Sequence, residues 1–98
     1  MPPTRLAPVH PGEILAEDFM APAGLSANQL ALSLRIPANR ISGIVAGKRG
    51  ITADTALRLG RYFSLAPETW MRLQARYDLE VERDAHGDQI EREVLVPA

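Results

Sequence analysis

The chain has 98 residues, 46% of them apolar and only 5% aromatic, room for one domain around one core of Leu, Ile, Val and Ala. There is no cysteine, which excludes disulfides and thiolate metal sites and suits a reducing cytoplasm; no apolar run approaches the roughly 20 residues that cross a bilayer. The net charge of −1 conceals an asymmetry: residues 1–62 carry seven basic side chains against four acidic, a balance of +3, and residues 63–98 carry four against eight, a balance of −4.

Residues 1–10 hold Pro2, Pro3 and Pro8 with Arg5 and no apolar stretch, so they read as an extended segment and not as a secretory signal. Pro11 sits where a first helix needs no N–H, with His10 flanking the start, and Ile14, Leu15 and Phe19 recur at helical spacing until Pro22 and Gly24 close the segment. Ser26 and Gln29 form a capping box for a second helix, with Leu25 and Leu30 as a staple around it. Leu30, Ala31 and Leu34 make its inner face. Pro37 stops that helix and opens a third, where Ile41, Ile44 and Val45 face inward and Asn39, Arg40, Ser42, Gly43 and Ala46 face out. Gly47 suits the left-handed residue after a helix end.

Thr52 caps a fourth helix, with Asp54 near its N-terminal dipole; Ala56, Leu57, Gly60 and Phe63 form its expected buried stripe. A fifth helix begins at Pro67 behind Ala66, a poor cap, and carries Trp70, Leu73 and Tyr77 on one face. Met71 and Leu79 widen that face, a sign of a dimer contact. From about Arg83 the chain turns charged. His86 beside Gly87 reads as a turn, and Val94-Leu95-Val96 as either a short strand or a disordered end. Asp78, Glu80, Glu82 and Asp84 alternate, the pattern of a solvated tail and not of a metal site.

Ser26 to Gly47 therefore reads as a helix-turn-helix, whose second helix can enter the major groove of DNA. Asn pairs with adenine and Arg with guanine, so Asn39 and Arg40 are the first candidates for base reading. Ala38 suits a thymine methyl, and Ser42 and Gly43 let the helix sit close. Lys48, Arg49 and the N–H groups opening the second helix suit phosphates. Polar residues also line any solvated helix; the basic loop Lys48-Arg49-Gly50 directly behind favours DNA. His10 and His86 lie at opposite ends, with no ligand spacing, phosphate loop or nucleophile–base pair. No catalytic residue, metal or cofactor is expected.

The segments HPGEIL, LSANQLALSLRIPANRISGIVAGKRGIT, ALRLGRYF and W-x-x-L-Q-x-x-Y-D-L, from His10 to Leu79, resemble the HigA-type antitoxins of the XRE, repressor-like helix-turn-helix group. The resemblance implies an all-α, five-helix repressor-like fold and a homodimer on an operator in its own promoter. It also implies a cognate RelE-like toxin that cleaves mRNA and is neutralised by this chain. The base-reading positions it implies fall on Pro37, Ala38, Asn39, Arg40 and Gly43, and the phosphate-contacting ones on Gln29, Lys48 and Arg49. Two residues depart from the pattern. Arg35 stands where relatives place Gly in the turn, and joins the phosphate candidates; Gly43 leaves no side chain at a usual reading position. The expected layout is an extended segment 1–10, a helix-turn-helix domain 11–82 and a flexible or short-strand tail 83–98, in a cytoplasmic protein with no membrane contact. The alternatives are a stand-alone regulator without a toxin and an interaction module that has lost DNA binding.

Overall fold

Pro11 starts the first helix, and the residue before it supplies the cap: His10 is extended (φ −69°, ψ 138°) and its Nδ1 accepts the Gly12 N–H at 2.9 Å. The computed structural model describes residues 7–98; of the expected extended segment, residues 7–10 are neither helix nor strand, and 1–6 lie outside the described residues. The helix, α1, runs unbroken through Pro11–Ile14, Leu15–Met20 and Ala21–Ala23, the middle run being π-helical. The wider turn falls directly before Pro22, which has no N–H to give and whose ring would crowd the carbonyl four residues back. Ala21 accordingly donates to Ala16, five residues back. Four helices follow: α2 (Ala27–Leu34), α3 (Ala38–Val45), α4 (Ala53–Phe63) and α5 (Pro67–Glu93). Among the described residues the all-α, five-helix expectation holds.

Helices α1 to α4 each end on one residue in the left-handed region: Gly24 (φ 66°), Arg35 (61°), Gly47 (74°) and Ser64 (55°). At the first three, that residue donates three positions back and the next one donates five back. The pairs are Gly24 to Ala21 with Leu25 to Met20, Arg35 to Leu32 with Ile36 to Ala31, and Gly47 to Ile44 with Lys48 to Gly43. Carbonyls that a helix end leaves open are satisfied this way. After three of the four turns an apolar residue, Leu25, Ile36 or Leu65, folds back against the core.

That core holds Leu15, Leu30, Leu34, Ile41, Ile44, Leu59 and Trp70. Trp70 is 0% exposed, with the Phe19 ring 4.9 Å away. Its indole N–H has no hydrogen-bond partner among the described residues, a cost of about 1–3 kcal/mol that the apolar area of the ring offsets. Two expectations are corrected. Leu57 is 62% exposed, and Leu59 takes the core place assigned to it: the inward face of α4 is Thr55, Ala56, Leu59 and Gly60. The tail from Arg83 is helical to Glu93, His86 and Gly87 included; only residues 94–98 lie beyond the helix, and Val94–Val96 form no strand. Of the acids read as a solvated tail, Asp78, Glu80 and Glu82 pair at four-residue spacing along α5 with Gln74, Arg76 and His86, and Gln89 pairs likewise with Glu93. Such pairs support a helix, and they stand on both sides of Gly87.

Gly12 lies so close to α3 that a Cβ there would collide with the Ile44 carbonyl oxygen. Backbone on both sides leaves little room to yield. Gly12→Ala is expected to destabilise the protein by about 1–3 kcal/mol, read as a lower midpoint of urea unfolding; an unchanged midpoint would refute the close packing.

Candidate nucleic-acid interface

The expected capping box is present: Ser26 Oγ accepts the Gln29 N–H at 3.1 Å, and Gln29 Oε1 accepts the Ser26 N–H at 2.9 Å. The Gln29 amide is thereby held at the start of α2 with its Nε2 hydrogens still available to an outside acceptor. Helix α3 is capped by Pro37, whose side chain satisfies none of the first N–H groups. Ile41 and Ile44 are buried, while Pro37, Asn39 and Ser42 are exposed and Ala38, Arg40 and Gly43 half-buried. The outward face is thus the one read from the sequence.

Two of its members are engaged locally. Ser42 Oγ donates to the Ala38 carbonyl at 3.2 Å, so its hydrogen is spent inside the helix and only its lone pairs face outward. The open side of Gly43 is covered by Arg49: a Cβ at Gly43 would sit 3.4 Å from Arg49 Cβ and 3.6 Å from its Nε. The long side chain of the loop lies where the helix has none.

Arg40 donates through Nη1 to Asp54 Oδ2 at 3.0 Å, and Arg58 donates through Nε to the same oxygen at 3.0 Å. Arg58 Nη1 also bonds the Leu34 carbonyl at 2.9 Å, closing the end of α2. The hydrogen bond from Arg58, with its charge and the contribution of Arg40, holds the Asp54 carboxyl below its ordinary pKa, so it stays ionised at neutral pH. Arg40, Arg49 and Asp54 line one depression of about 380 Å³. Arg35 lines a neighbouring one of about 330 Å³ with Arg58, Arg61 and Tyr62. Of the phosphate candidates, Arg49 therefore joins Arg40, Arg35 stands beside Arg61, Lys48 is exposed in the loop, and Gln29 is exposed in the first turn of α2.

The loop behind α3 is fastened from α5. Gln74 Oε1 accepts the Ile51 N–H at 2.8 Å, its Nε2 donates to Asp78 at 2.9 Å, and its amide packs against Gly50. One turn on, Tyr77 meets His10 edge to face at 4.8 Å. Sequence reasoning missed Gln74, Arg58 and the tie from Asp54 to Arg40. The four-residue spacings of Asp54 with Arg58 and of Gln74 with Asp78 were usable signals; Arg40 with Asp54, Ile51 with Gln74 and Leu34 with Arg58 are at least 14 positions apart.

A short, core-braced helix with an open polar face and a basic loop behind it defines a helix-turn-helix DNA-binding protein, and the helix-turn-helix family model matches residues 17–70. A HigA-family addiction module antidote protein from Coxiella burnetii is 49% identical with a TM-score of 0.90, covering 94% of this chain and 100% of its own. Pseudomonas aeruginosa antitoxin HigA, solved with the higBA promoter, is 43% identical with a TM-score of 0.91, covering 93% and 99%. Virulence-associated protein I of Dichelobacter nodosus is 46% identical over 91% of this chain and 80% of its own. The chain belongs to the HigA-type antitoxins of the helix-turn-helix family, which is not enzymatic.

Gln74→Ala leaves the buried Ile51 N–H without its acceptor, and is expected to cost about 1–3 kcal/mol of stability. Amide hydrogen exchange at Ile51 should accelerate more than exchange within α2; equal acceleration at both would mean the loop is held by something else.

Proposed function

We propose that the chain is the antitoxin of a toxin–antitoxin pair: as a homodimer it binds an operator in its own promoter, represses that operon, and neutralises a RelE-like mRNA-cleaving toxin in the cytoplasm. The observation that carries the DNA part is the outward face of α3, where Asn39 is free and Arg40 is held at the mouth of a depression shared with Arg49. Pro37, Ala38, Asn39, Arg40, Ser42 and Gly43 make the base-reading surface, with Gly43 acting through the Arg49 side chain laid across it. Gln29, Arg35, Lys48 and Arg49 contact phosphates. The Pseudomonas relative solved with the higBA promoter supports this reading.

A second copy docks on the groove between α4 and α5, about 480 Å³ and lined by Leu57, Met71, Pro67 and three alanines together with Glu68 and Arg72. The exposure of Leu57 and Met71 there is what a dimer contact would remove. Two recognition helices related by a twofold axis then meet half-sites roughly 34 Å apart. The toxin needs a basic face for its RNA. The distal part of α5, with Glu82, Asp84, Asp88, Glu91 and Glu93 on an exposed helix, offers the complementary charge.

Gel shifts on the DNA upstream of the chain's own reading frame test the repressor role. Asn39→Ala or Arg40→Ala is expected to weaken operator binding by about 1–3 kcal/mol and to spare random DNA; equal loss on both would remove these residues from base reading. Lys48→Ala and Arg35→Gly should weaken both DNAs and lower the salt slope by roughly one each. Arg35→Gly does so without loss of stability, because Gly is at ease in the left-handed turn. Co-purification with the small basic protein of the adjacent reading frame tests the toxin; its absence would leave a stand-alone regulator.

A further inference from the structure

We propose that Asp54 is a positioning residue for base recognition: its carboxylate fixes the Arg40 guanidinium so that the Nε and Nη2 edge is turned to DNA. The inference rests on the reading of Arg40 as a base contact and adds the residue that aims it. Asp54 does not act by its place at the start of α4 alone. Its Oδ2 takes Nη1 of Arg40 and Nε of Arg58, each at 3.0 Å, and Arg58 is pinned a second time on the Leu34 carbonyl. One oxygen thus ties the recognition helix to α4 and, through Arg58, to the end of α2. An arginine side chain is otherwise free to sample many directions. Here one of the two Nη1 hydrogens is taken by Asp54, and the Nε and Nη2 edge is left as a fork that can meet two acceptors on guanine.

The placement of the charge points the same way. Arg40 is 31% and Asp54 56% exposed at the side chain, and both line the depression that also holds Arg49. A carboxylate on a surface meant for phosphates repels every DNA sequence alike. It is useful there if it improves discrimination more than it costs affinity, by denying Arg40 the choice of a nearby phosphate in place of a base.

The test measures dissociation constants for operator and random DNA at one salt concentration, with wild type, Asp54→Ala, Arg40→Ala and the double variant. Asp54→Ala should lower the operator-to-random ratio about tenfold, with random-DNA affinity unchanged or tighter. Added to Arg40→Ala, it should lower the ratio no further. A ratio kept in Asp54→Ala, a parallel loss on both DNAs, or additive losses in the double variant would each overturn the proposal. Should Arg40→Ala itself keep the ratio, base reading by Arg40 fails first, and the positioning role with it. Asp54→Asn, of equal shape but uncharged, gives the same measurement if the alanine variant does not fold, and a fall in the ratio is again the expected result.

Discussion

Helix α3 exists because Ile41 and Ile44 are buried. Eight residues make too short a helix to persist in water by themselves, and Asn39, Ser42 and Gly43 add little intrinsic helix preference. Two fully buried isoleucines supply roughly 1.5–3 kcal/mol each, and that is what orders the segment. The opposite face is left open by the same packing. Recognition here is a by-product of burial on the other side, and whatever disturbs the core beneath α3 disturbs the reader.

Both ends of α3 are tied down by other elements. At its start, Arg58 closes the last turn of α2 and, through Asp54, holds Arg40. At its end, Gly12 lets α1 pack onto the Ile44 carbonyl, and the His10 ring lies beside Gly47. Helix α5 reaches the second of these regions. Trp70 fills the core, Gln74 grips the loop at Ile51, and Tyr77 closes on His10. The W-x-x-L-Q-x-x-Y spacing is therefore a strut, each residue a turn further along one face, touching in order the core, the basic loop and the first helix cap.

What was legible in the sequence was mostly local. Ser26 with Gln29, Thr52, Gly24 and Gly47 announce helix boundaries through bonds made within a few residues, and all four boundaries fall as read. Arg35 and Ser64 occupy the same left-handed geometry without a glycine to signal it, because backbone bonds and the apolar residue behind them force the turn. Leu57 was read into the buried stripe of α4, but the i, i+3, i+4, i+7 face that holds Ala56, Gly60 and Phe63 takes Leu59, and it is Leu59 that is buried. The charged end of α5 looked like a tail because each acid was read alone, while Glu80, Glu82 and Glu93 each have a partner four residues away. At the interface the residue types were readable, and the contacts that organise them were not, since Arg40 and Asp54, or Ile51 and Gln74, meet only after folding.

The single tryptophan of this chain also gives the protein an optical gauge of its own interior. Shut away from water beside Phe19 and with its N–H unbonded, Trp70 should emit at the blue end of the indole range and shift red when the helices part. Nucleotides arriving at α3 stay on the far side of Ile41 and Ile44 from that ring. Its fluorescence would thus follow unfolding while remaining nearly silent to DNA, separating loss of structure from loss of binding in one cuvette.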